Sequence, residues 1–247
     1  MGWADEVGAA VAVGIGSSRA AERWSPPVLA AGLAWLPLVG LGLGALAAAV
    51  ATVVAWWEPR LAGVAGVLVL EAITAGRPRR ALAAAIDALA RRGDAEQTLA
   101  RLRARPDAWA TLAAFLLLVL ALTAAARLGA WRTIALLVAP MLARWSVVVQ
   151  CHGGTPGYAR GPAAALVGRA RSREFGWASV TAIGTTLALA DGVGLAVVLA
   201  AALATIGLRL KLNHRLAGLP GRLVAATGAL VETVVLVMLA VVAQLNT

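Results

Sequence analysis

Long apolar runs separated by short polar stretches dominate the chain. A helix crossing a bilayer core needs about 20 apolar residues. Residues 28–57 are apolar throughout and include Pro37, Gly40, Gly42 and Gly44. Glycines at spacings of two and four suit close helix contact. Residues 61–75 form a short second run containing Glu71, residues 108–126 an uninterrupted third, and residues 133–149 a fourth carrying Arg144. Residues 177–207 are too many for one simple span. Asp191, Gly192, Val193 and Gly194 in their middle read as a turn, which divides this run into two short helices. Residues 223–242, with Glu232 inside, are the last span. The pattern predicts an all-α, polytopic integral membrane protein with about seven transmembrane helices.

The polar stretches between these runs are basic. Residues 76–107 hold eight arginines. Residues 150–176 hold Arg160, Arg169, Arg171 and Arg173, and residues 208–222 hold Arg209, Lys211, Arg215 and Arg222. With the division at Asp191, an even number of spans separates each basic loop from the next. All three then face one side, together with Arg19 and Arg23, and the positive-inside rule makes that side the cytoplasm. The expected orientation is N-terminus in, C-terminus out, in the inner (cytoplasmic) membrane. Trp24, Trp56, Trp57, Trp109, Trp131 and Trp177 lie near span ends, as an interfacial belt would. Within the first loop, Leu82, Ile86, Leu89, Leu99 and Leu102 recur at roughly helical spacing, interrupted near Gly93. This predicts an amphipathic helical hairpin, lying on anionic lipid, capping a site, or both.

Composition narrows the class. The chain has 247 residues, 61% hydrophobic and 14% charged, whereas soluble domains are about 25% charged. A soluble globular enzyme, a coiled coil and a disordered chain are excluded. Lys+Arg number 22 against 12 Asp+Glu, a formal +10. The excess belongs first to cytoplasmic loops, and beyond them to an anionic ligand or anionic lipid. No basic soluble domain exists to bind nucleic acid. Cys151 stands alone, so no intrachain disulfide forms. Asp5 and Glu6 occupy the place where a signal peptide would be positive. Insertion through internal spans, without cleavage, and a single domain over 1–247 are expected.

Ionisable groups inside spans are functional candidates. Glu71, Arg144, Asp191 and Glu232 qualify. Asp191 reads as a turn residue, and Glu71 is near enough to a span end to reach water. Arg144 and Glu232 are placed to pair with each other or with a ligand. Asp87 lies on the amphipathic loop segment. His152 and His214 show no metal-ligand spacing, and no Walker A, GxSxG or HExxH motif occurs.

The order of several segments resembles the cobalamin synthase family, adenosylcobinamide-GDP ribazoletransferase. The resemblance runs from about Trp35 to Ala240. Residues 35–45 (WLPLVGLGLGA) look like the family's first span, a "FPLIGLLLG" type stretch. Arg144 followed by Tyr158, Ala159 and Arg160 is similar to the family's Arg and its "YAR" segment. Residues 215–222 (RLAGLPGR) resemble "RLGGxTGD", and Glu232 falls where a family glutamate follows that motif.

The family's acidic signature, "HxDGxADxxDG", departs sharply here. It aligns with residues 78–88, where the His is Pro78 and the first two Asp positions are Arg80 and Ala84. The third keeps its carboxylate as Asp87, while the Asp of the later motif is Arg222. The resemblance implies transfer of adenosylcobinamide phosphate from its GDP ester to α-ribazole or its 5′-phosphate, with release of GMP. It implies Mg²⁺, held by Asp87. It assigns catalytic roles to Asp87 and Glu232, and substrate contacts to Arg80, Arg144, Tyr158, Arg160, Arg215 and Arg222. Corrinoid-GDP and α-ribazole are then the small-molecule partners, the lipid bilayer is the setting, and a homo-oligomer is possible. The lost carboxylates leave open a catalytically degenerate paralogue used in binding or assembly. An unrelated transporter or scaffold is the third reading.

Overall fold

The computed structural model describes residues 2–157, 165–213, 216 and 218–245. Among them the chain is helical, with only isolated bridges at His152–Ala170 and Pro156–Leu219. Helices α1 (Trp3–Gly14), α2 (Ser18–Ala21) and α3 (Pro26–Gly32) lead through a 3₁₀ turn into α4 (Leu36–Ala55). There follow α5 (Pro59–Thr74), α6 (Arg77–Ala90), α7 (Ala95–Arg103), α8 (Ala108–Ala126) and α9 (Arg132–Cys151). The last two are α10 (Ser172–Asn213) and α11 (Gly221–Leu245).

Five helical stretches are long and apolar enough to cross a membrane: Pro26–Ala55, Ala108–Ala126, Gly129–Cys151, Ser172–Lys211 and Gly221–Leu245. α5 is too short alone; α5 and α6 qualify together but are bent by 82°. The bend has a local cause. Ala75 (φ 51°) and Gly76 (φ 62°) are both left-handed, which ends one helix and redirects the next.

α10 is not a 42-residue rod. Asp191 has φ 45° and ψ −134° in its middle. Trp145 Nε1 donates to Ser179 Oγ (3.1 Å), and Arg209 donates to Val149 O (2.8 Å). A straight helix would hold Ser179 and Arg209 about 45 Å apart at 1.5 Å per residue. Their partners are one turn apart on α9, so α10 doubles back. A Cβ on Gly194 would stand 2.8 Å from Thr186 O, which only a hairpin allows. The expected division at Asp191 is therefore real.

α9 is the axis of the bundle. α4 runs antiparallel to it, and Cβ atoms on Gly40 and Gly44 would collide with the α9 backbone at Pro140 and Leu136. Gly42 meets nothing within 4 Å. Residues two apart on a helix point to opposite sides, so only the spacing-four pair serves the contact. The exposed face of α8 (Leu112, Phe115, Leu116, Leu120) is apolar.

Hydrogen bonds sort the helix ends. Arg132 donates to Pro59 O (3.2 Å), and Gln244 Nε2 donates to Arg127 O (3.3 Å). The start of α5, the end of α8, the start of α9 and the end of α11 therefore share one end of the bundle. The end of α9, both ends of α10 and the start of α11 share the other, here called the loop end. The amphipathic hairpin also forms, as α6 and α7 with a break at Arg91–Asp94. Asp94 caps α7 by accepting from Gln97 N (2.8 Å). α6 does not lie loosely on a surface: Ala81–Ala85, Asp87 and Ala88 are buried, packed against α8 and α11.

Candidate functional site

Two polar regions occupy the loop half of the molecule. The first is a buried quartet. Arg144, on α9, is about 10 Å from that helix's end at 1.5 Å per residue. Its Nη1 donates to Glu232 Oε2 of α11 (3.2 Å), and its Nε donates to Gly14 O at the end of α1 (3.3 Å). Arg144 thus pairs a carboxylate and satisfies one orphan carbonyl of α1. The second pair is Glu71 of α5 with Arg79 of α6, Oε1 to Nε 2.6 Å. Arg79 Nη1 also donates to Thr233 Oγ1 (2.7 Å), next in sequence to Glu232. The left-handed turn at Ala75–Gly76 folds the first turn of α6 back onto Glu71. Glu71, Thr74, Arg79, Arg144 and Glu232 line one small cavity of about 10 Å³, room for one water. Arg79 Nη2 is buried there without a hydrogen-bond partner.

This cavity is the inner end of a series. A second, about 60 Å³, shares Pro78, Arg144, Ala229 and Glu232 with it and adds Val13, Gly16, Val147 and Ala225. Those last four also border a third, about 190 Å³, beside Cys151, Leu166 and Val167. Apolar walls therefore lead from beneath the 150–176 loop to the quartet.

The second region is open. A cavity of about 540 Å³ lies between α1, α3 and the start of α10, with Glu6, Arg169, Arg171, Arg173 and Glu174 around it. Glu174 accepts from Arg171 N (3.0 Å) and pairs with Arg173 (3.4 Å). Glu6 accepts from Trp35 Nε1 (3.2 Å).

The sequence-predicted residues divide between these places. Arg144 and Glu232 meet, as one of their two readings held, and Glu71, partly exposed, lines the same small cavity. Asp87 stands apart. It is two helical turns, about 12 Å, beyond Arg79 along α6. Its buried carboxylate faces Arg91 (3.3 Å), which also pairs with Asp107. Arg80 is exposed on the first turn of α6. Arg222 donates to Leu102 O and Ala104 O, closing the end of α7. Tyr158, Arg160, Arg215 and His214 lie outside the described residues. His152 stacks on Phe175 (4.6 Å), and its Nδ1 shares a hydrogen bond with Ala170 O (3.0 Å).

The donor set does not form a ready Mg²⁺ cradle. Among the described residues no three His, Cys, Asp or Glu side chains cluster to hold a metal. Glu71, Asp87 and Glu232 each face a guanidinium. No step below is routed through the metal.

Sequence reading missed Arg79, Thr233 and the arginines of the open cavity. Nothing separates Arg79 from its neighbour Arg80 except helix phase, and that depends on where α6 begins. Arg169 and Arg171 precede α10 and Arg173 lies in its first turn, and only the packing of α1 and α3 makes a cavity beside them.

Long apolar helices around a buried charge cluster mark a multi-pass helical membrane protein. The chain belongs to the cobalamin-5-phosphate synthase family, whose model matches residues 12–240. Membership places it among the transferases of cobalamin biosynthesis and removes the reading as an unrelated transporter or scaffold. Comparison with curated proteins and with solved structures finds no match to the chain.

Proposed function

We propose that the protein joins adenosylcobinamide phosphate, delivered as its GDP ester, to α-ribazole or its 5′-phosphate at the loop end of the bundle. The family match across residues 12–240 carries this reading. In the reaction a ribazole hydroxyl oxygen bonds to the corrinoid-side phosphorus. The phosphoanhydride bond to GMP breaks, GMP leaves with the electron pair, and the hydroxyl proton is lost. Such displacement gathers negative charge, and positioned guanidinium groups stabilise it.

The arginine-rich loop end supports this chemistry, and arginine binds phosphate in a bidentate fork. Arg80 and the Arg144–Glu232 pair are the residues proposed to meet substrate. Glu232 orients Arg144 and is the nearest carboxylate to it. Arg222 enters the proposal through α7, whose end it holds. Counting α10 as two spans and α5 as one gives seven crossings, with the loop end cytoplasmic. The concentration of Arg and Lys at that end supports this orientation.

A second reading has its own observation. Asp87, the one carboxylate surviving from the acidic signature, faces Arg91. A relative that binds the corrinoid without turning it over fits that pairing.

The purified protein in nanodiscs, given adenosylcobinamide-GDP, α-ribazole 5′-phosphate and Mg²⁺, is expected to release GMP and form the joined corrinoid. Corrinoid-GDP binding without GMP release, beside an active family enzyme, overturns the catalytic proposal in favour of the second reading. Reporter fusions at Gly93, Thr155 and Asn213 are all expected to read cytoplasmic. An external signal at Asn213 contradicts the seven-span arrangement.

A further inference from the structure

We infer that the open cavity beside Arg169, Arg171 and Arg173 is a binding site for a phosphate group. The inference is independent of catalysis at the quartet, because it rests on a different part of the molecule.

The cavity measures about 540 Å³, within the 300–1,000 Å³ common for small-molecule sites. Its floor is apolar: Pro27, Ala30 and Ala31 of α3. Its rim is charged, and the charge is unevenly committed. Both carboxylates are engaged by groups of the protein, Glu174 by Arg171 N and the Arg173 guanidinium, and Glu6 by the Trp35 indole. The guanidiniums of Arg169 and Arg171 have no hydrogen-bond or ion-pair partner among the described residues, and both are exposed. The start of α10 borders the same cavity, and its positive end is already met by Glu174, which accepts from Arg171 N. Two free guanidinium forks, with a third held at their side by Glu174, match the oxygens and charge of a phosphate.

That group has two possible sources at a membrane surface. One is a soluble diphosphate or nucleotide; the other is the headgroup of an anionic phospholipid. The experiment separates them. The full chain is placed in phosphatidylcholine nanodiscs and titrated calorimetrically with inorganic pyrophosphate. Binding that weakens with salt is expected. Arg169→Ala/Arg171→Ala is expected to weaken it roughly tenfold or more, since each charge-assisted contact is worth a factor of that order. Arg60→Ala, at the far end of the bundle, removes an exposed arginine of the same kind, to be set beside each single variant, and leaves it unchanged.

In a second arm, phosphatidylglycerol is doped into the bilayer, and lipid retained through purification is measured. Failure to bind pyrophosphate, with phosphatidylglycerol retained by the wild type and lost from the double variant, supports the site and assigns the headgroup. Absence of both ligands from the wild type overturns the inference. So does retention of either ligand by a double variant with a wild-type circular dichroism spectrum. If the double variant does not fold, Arg169→Gln and Arg171→Gln singly give the same readout, with each expected to weaken binding.

Discussion

The quartet of Glu71, Arg79, Arg144 and Glu232 and the arginines of the open cavity both put guanidinium groups at the loop half of the bundle, but on opposite terms. In the quartet every charge has a partner of opposite sign, both guanidiniums are buried, and the enclosed space holds about one water. In the open cavity two guanidiniums have no partner among the described residues, and the space holds a small molecule. Pairing settles a buried charge that the bilayer and core would otherwise penalise. An exposed arginine needs no such settlement and stays available to a ligand. Burial thus holds the quartet's guanidiniums in fixed pairs, while exposure leaves two of those at the open cavity uncommitted.

Breaking the quartet is expected to have the largest effect. Arg144→Ala or Glu232→Ala strands a buried charge and should cost about 3–5 kcal/mol, read as a lower midpoint of unfolding in detergent. Arg144→Met with Glu232→Leu removes both charges and should cost much less than the two single losses summed. Additive losses would show that the pair is not coupled.

The frame that holds Arg144 comes next. Gly40→Leu pushes α4 off the α9 backbone at Pro140 and should destabilise by about 1–3 kcal/mol. Gly42→Leu, two residues away with nothing within 4 Å, should be near neutral. Equal effects would contradict the α4–α9 contact.

Arg222→Ala frees the carbonyls that end α7 and should cost about 1 kcal/mol, with faster proteolysis between α7 and α8. The smallest effect belongs to the open cavity. Arg169→Ala and Arg171→Ala should change stability by no more than about 0.5 kcal/mol, the usual range for surface substitutions away from special features. A loss comparable to that of Arg144→Ala would erase the distinction between the two regions.

The sequence discloses the parts of this arrangement that are written locally. Residues 108–126 are an apolar run bounded by Asp107 and Arg127, and α8 spans those same residues. The turn at Asp191 is legible because an acidic residue followed by two nearby glycines interrupts a run too long for one crossing. Arg144 and Glu232 stand out because charge inside an apolar helix is costly, and the structure brings them together. What depends on phase or distant packing is not legible. Arg79 and Arg80 are adjacent arginines, yet one is buried against Glu71 and Thr233 while the other is exposed. Asp87 keeps the family's residue type, but its neighbour one turn on is Arg91, and the two face each other. The open cavity arises from α1 and α3 meeting a loop more than a hundred residues away.

The steady-state rate of GMP release from adenosylcobinamide-GDP, with α-ribazole 5′-phosphate as acceptor, tests the account most directly. It should be measured in nanodiscs for the wild type and for Arg169→Ala/Arg171→Ala. The account predicts release by the wild type; a higher KM for a phosphate-bearing substrate in the variant assigns the open cavity to that substrate, and an unchanged KM assigns it to a lipid headgroup. A folded wild type that binds the corrinoid and releases no GMP would contradict it.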